Sequence, residues 1–76
     1  MYKAMNKAML ESVMKLNSDT QSDLADYLGI SLSRLNAKIN EYRGAQFFQT
    51  EIAAIKKRYS LSEAQIDAIF FGGKVS

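Results

Sequence analysis

Apolar positions between Thr20 and Asn40 follow helical spacing twice, with one break between. Leu24, Ala25 and Leu28 fall at i, i+1 and i+4, a narrow apolar stripe on a short helix. Thr20 is a suitable N-cap, because its hydroxyl can accept an orphan N–H of the first turn. Asp23, three positions on, completes the start signal and favours the positive helix end. Gly29 ends this helix by adopting φ > 0, and Ile30 pins the turn into the core. Ser31 then caps a second helix of about residues 31–41, whose Leu32, Leu35 and Ile39 share one apolar seam.

Elsewhere the pattern is also helical. Tyr2, Met5, Met9, Val13 and Leu16 recur at spacings of three and four, widened by Leu10 and Met14, and predict a first helix over 2–16. Core packing explains this Met-rich face, and a partner groove is the alternative reading. Asn17-Ser18-Asp19 reads as a loop, as does 42–46 with Gly44 as its turn residue. Residues 49–59 place Ile52, Ile55 and Tyr59 on one side of a fourth helix. Ser60-Leu61-Ser62 interrupts, and Ser62 with Gln65 forms a capping box for a last helix through Phe71, which Gly72-Gly73 ends. No proline breaks any of these segments. The expectation is an all-α, compact five-helix bundle over residues 1–76. Its core is drawn from Leu24, Ala25, Leu28, Ile30, Leu35, Ile39, Ile52 and Ile55.

Composition narrows the chemistry. A 76-residue chain with 47% hydrophobic residues supports one small core, burying about 60–65% of its unfolded surface. Without cysteine there is no disulfide, thiolate metal site or thiol nucleophile. Without histidine the commonest general base and metal ligand are missing. The four glycines form neither a phosphate loop nor a dinucleotide pattern. An enzyme is therefore not expected, nor a cofactor, metal or small-molecule ligand. No apolar run approaches the roughly 20 residues of a membrane span, and a cytoplasmic location is expected.

Net charge is only +2, but it is unevenly placed. Residues 1–30 and 59–76 each carry a net −1, whereas residues 31–58 carry +4. Such a local excess is what a phosphate footprint produces. On the second helix of the pair, rotation by 100° per residue puts Ser33, Asn36, Ala37 and Asn40 on one small, polar face. Arg34 and Lys38 occupy a third flank, and Arg43 follows in the next loop. Asparagine can pair with adenine, and Ala or Ser can pass close to thymine methyls, so the middle face suits base edges. The basic flank suits phosphates. A solvated face is the plain alternative for these charges, and Lys56–Arg58 equally complements a helix C-terminus.

Two short helices joined this way describe a helix-turn-helix. Gln21, Leu24-Ala25, Leu28-Gly29-Ile30-Ser31 and Leu35 resemble the core of that motif in the Cro/repressor family of small phage and bacterial regulators. Lys38-Ile39-Asn40, Phe47, Glu51-Ile52 and Ile69-Phe70-Phe71 resemble a group of short phage Cro-like proteins. The similarity spans roughly 18–71. It implies a transcriptional regulator of repressor type that binds double-stranded DNA. It also implies a phosphate contact at Gln21 and a base contact at Leu32, although the wheel places Leu32 nearer the core seam. Two departures stand out: Lys38 occupies a position that is often apolar, and Phe48 stands where a Ser or Thr cap is expected.

The apolar end Ile69, Phe70 and Phe71 has two readings, inward packing or a dimer contact. A homodimer on DNA is expected from the second. The alternative function is a protein-interaction module of the same fold that modulates a partner repressor, supported by the modest net charge and the Met-rich first helix.

Overall fold

A computed structural model of the protein describes residues 5–71. Five α-helices follow in order: α1 (Lys7–Leu16), α2 (Gln21–Leu28), α3 (Leu32–Ile39), α4 (Gln49–Tyr59) and α5 (Glu63–Phe70). A short 3₁₀ turn, Tyr42–Gly44, lies between α3 and α4, and no strand occurs among the described residues. The fold is all-α, as the spacing predicts.

Helix starts follow local chemistry. The Asn6 side chain accepts from Met9 N–H at 3.0 Å, and Asn6 N–H donates to Ile69 O at 2.6 Å, which ties the head of α1 to α5. Thr20 and Asp23 form the reciprocal capping box of α2, and Ser62 with Gln65 that of α5. Ser31 caps α3 by accepting from Arg34 N–H.

Three helices end the same way. Ile30 N–H donates to Ala25 O and Gly29 N–H to Asp26 O, the Schellman pattern, with Gly29 at φ 74. A Cβ at Gly29 would meet open space, so the backbone angle, not crowding, selects glycine there. Ser18 closes α1 and Ser60 closes α4 with equivalent bonds, both at φ 53. The residue after each turn can reach back to the core: Leu61 is buried and Ile30 partly so.

Leu10, Val13, Met14, Leu24, Ala25, Leu35, Ile39, Ile52, Ile55, Tyr59, Leu61, Ile66 and Ile69 build one core. Leu28 and Ile30 pack only partly against it. Two positions depart from the expected stripes. Leu16 is 86% exposed, because the buried arc of α1 centres on Leu10, Val13 and Met14. Leu32 is 43% exposed, because the seam of α3 reaches the core only at Leu35 and Ile39. Tyr2 of the expected first stripe lies outside the described residues. No described helix is long and apolar enough to cross a membrane.

A polar node fastens the α1–α2 loop to the end of α4. Arg58 donates to both carboxylate oxygens of Asp19 at 2.8 Å, and the Tyr59 hydroxyl donates to the same carboxylate. The Arg58 guanidinium also lies 4.6 Å from the Tyr27 ring centroid. Hydrogen bonding from Arg58 holds the Asp19 carboxyl below its usual range, with Tyr59 adding to the effect. Burial and the Asp19 contact push the Tyr59 hydroxyl up. Because the folded pKa of Asp19 is depressed, its contribution is present above the unfolded value of about 3.9 and is lost as pH falls through the folded one. Asp19→Asn should therefore lower stability at pH 7 by about 1.5–3 kcal/mol, and the deficit should shrink below about pH 4. Urea unfolding of both proteins at pH 7 and pH 2.5 checks this; an equal deficit at both pH values contradicts it.

Candidate nucleic-acid interface

The Schellman turn at Gly29 sets α3 across α2 with one face outward. Ser33, Asn36, Ala37 and Asn40 line a single open depression of about 390 Å³, joined by Tyr42. Sequence rotation placed the first four together. Tyr42 arrives by tertiary means, since Glu41 and Arg43 take left-handed angles, both at φ 52, and fold the ring back toward α3. Arg43 then lies with its guanidinium carbon 5.2 Å from the Tyr42 centroid.

A second depression of about 480 Å³ adjoins the first across Ala37, between α3 and the 44–48 segment, with Arg34 and the exposed Phe48 on its walls. Leu32 stands exposed at the start of α3, as a surface contact requires.

Polar groups on this face are partly committed. Asn36 Nδ2 donates to Leu32 O at 3.2 Å, and Asn40 Nδ2 donates to Asn36 O at 2.9 Å. Lys7 Nζ donates to Asn40 Oδ1 at 2.8 Å, bringing the first turn of α1 to the end of α3. No local signal exposes this contact, which spans 33 positions.

Lys38 corrects the sequence expectation. The sequence places it at a phosphate; instead it is 5% exposed, and its Nζ donates to both oxygens of Glu51 at 2.8 and 3.0 Å. The ammonium lies 3.9 Å from the Phe48 ring centroid and 3.4 Å from Gln46 O. Glu51 in turn accepts Phe48 N–H at 2.8 Å, which caps α4 from the third position. Phenylalanine at the cap is thereby explained: its ring covers the ion pair, and Glu51 supplies the acceptor that the cap lacks.

The charge excess of residues 31–58 shrinks by the same logic. Lys38 pairs with Glu51, Lys56 with Glu63 and Arg58 with Asp19. Hydrogen bonding to Lys56 lowers the Glu63 carboxyl pKa. Among the described residues Arg34, Arg43 and Lys57 carry no ion pair, and the first two border the α3 face. Gln21 is elsewhere, in a small depression with Glu11, Met14, Lys15 and Asp19, whose two carboxylates do not favour a phosphate.

The C-terminal cluster divides. Ile69 is fully buried, which removes it as a dimer contact. Phe70 packs edge-on against Phe47 with centroids 5.4 Å apart, and Phe71 is 51% exposed.

Compared with family models, curated proteins and solved structures, the chain matches none.

Removing one partner of the Lys38–Glu51 pair leaves a buried charge uncompensated. Glu51→Gln or Lys38→Met alone should each cost about 3–5 kcal/mol. The double variant should recover most of that loss, since Gln can still cap Phe48 and no lone charge remains. Urea unfolding of all four proteins measures the coupling, and additive losses contradict it.

Proposed function

We propose that this protein is a sequence-specific regulator of repressor type that lays α3 in the major groove of double-stranded DNA. The observation that carries the reading is the gathering of Ser33, Asn36, Ala37 and Asn40 in one open depression on α3, beside Arg34 and Arg43, which form no ion pair among the described residues. A major groove about 12 Å wide admits a helix, and Asn, Ser and Ala suit its edges. Phosphates on either side meet Arg34 and Arg43. The resemblance to Cro-like regulators points the same way. In this reading Leu32 adds an apolar base contact, and Gln21 remains the least supported phosphate contact.

A protein-partner reading draws on a different observation: internal ion pairs engage three of the six cations in residues 31–58, which weakens the field available to DNA. Salt dependence separates the two. Selection from random duplexes at two salt concentrations should yield a consensus. Arg34→Gln and Arg43→Gln should each lower the salt slope by about one unit. The Lys38→Met plus Glu51→Gln variant should retain the parental slope. Asn36→Ala should relax preference at one or two positions by about 1–3 kcal/mol. Arginine variants with an unchanged slope favour the protein partner.

Two copies on half-sites about 34–36 Å apart would enlarge the small footprint of one domain. Of the three apolar residues at the end of α5, Phe71 is the most exposed and is the contact assigned to that pairing. Phe71→Ser should abolish cooperative occupation of a two-half-site duplex without changing affinity for one half-site. Gel-shift stoichiometry reads this, and unchanged cooperativity places the pairing elsewhere.

A further inference from the structure

We infer that the centre of the α3 face is matched to an A·T base pair, with the thymine methyl against Ala37 and the adenine amino group donating to Asn36 Oδ1. This rests on the DNA-reading proposal and specifies what that face selects.

The middle of the face has no cationic donor, since no Arg or Lys lines the depression of Ser33, Asn36, Ala37, Asn40 and Tyr42. Guanine presents two acceptors to the major groove and is normally read by Arg or Lys. Lys38, the residue after Ala37, is held inside by Glu51 and the Phe48 ring, and Arg34 stands on the wall of the neighbouring depression. Both ends of the Asn40 amide are engaged, its oxygen by Lys7 and its nitrogen by Asn36 O. One N–H of Asn36 Nδ2 donates to Leu32 O. Among the described residues Asn36 Oδ1 accepts no hydrogen bond, so the face offers an acceptor where a base must supply the donor.

Adenine and cytosine both present such a donor, and the apolar surface decides between them. Ala37 lines both depressions, with the Tyr42 ring on one side and the Phe48 ring on the other. A methyl-sized apolar group finds carbon there. Thymine carries that methyl beside adenine, whereas a C·G pair leaves the spot without one.

The test begins from the selected duplex and replaces each thymine in turn by deoxyuridine, which removes only the methyl. At one thymine per half-site, affinity should fall about three- to fivefold, the effect of one buried methyl. With A37G the same replacement should change nothing. The ratio is taken within one variant, so any helix weakening cancels, and circular dichroism at the assay temperature verifies folding. If A37G does not fold, the deoxyuridine scan of the parent together with N36A, which should lose its adenine preference at the same base pair, decides the matter. Sequence-specific binding with no thymine methyl dependence overturns this inference and leaves the regulator reading standing, as does a G·C pair at the position that N36A relaxes. Absence of any sequence preference overturns both.

Discussion

The buried pair Lys38–Glu51 is the constraint on which the candidate surface depends. It joins the last turn of α3 to the first turn of α4, and Glu51 also caps α4 through Phe48 N–H. Two ions removed from water are stable only when their remaining hydrogen-bonding capacity is met. Gln46 O, both Glu51 oxygens and the Phe48 ring meet it. No described buried side-chain N or O atom lacks a partner. The position of the 44–48 segment, and therefore the wall of the larger depression, follows from this arrangement.

The same pair sets the character of the surface. Lys38 on the exterior would put a cation beside Ala37; drawn inward, it leaves a nearly neutral face with Arg34 and Arg43 at the borders. Under the proposed DNA reading, the arginines at the edge contact phosphates and position the domain, while the small polar groups in the middle contact bases and specify. Arg58, by contrast, is held by Asp19 and lies over the Tyr27 ring, so it fastens the α1–α2 loop and α2 to the end of α4.

Backbone strain is concentrated in the connections. Ser18, Glu41, Arg43 and Ser60 adopt left-handed angles usually left to glycine. At Ser18 and Ser60 the angle closes a helix and turns the next residue toward the protein. At Glu41 and Arg43 it brings Tyr42 to the α3 face. Each such residue costs about 1–2 kcal/mol, which the surrounding hydrogen bonds and packing offset.

Local rules were enough to read the helices apart from the start of α1, which the spacing places near residue 2 but which begins at Lys7 behind the Asn6 cap. They were also enough to read the caps at Thr20, Ser31 and Ser62, the turn at Gly29, and the grouping of Ser33, Asn36, Ala37 and Asn40. These depend on interactions within about four residues and on the 3.6-residue period, both visible in a linear chain. The core residues Leu24, Ala25, Leu35, Ile39, Ile52 and Ile55 were legible for the same reason. What only tertiary structure decided involves longer separations: Lys38 turning inward to Glu51, Lys7 reaching Asn40, Arg58 gripping Asp19, and Ile69 rather than Phe71 entering the core. Periodicity says which side of a helix is apolar, but not where a neighbouring helix covers it. A charged residue at the edge of a stripe goes to solvent or to a buried partner according to what the rest of the chain places opposite it.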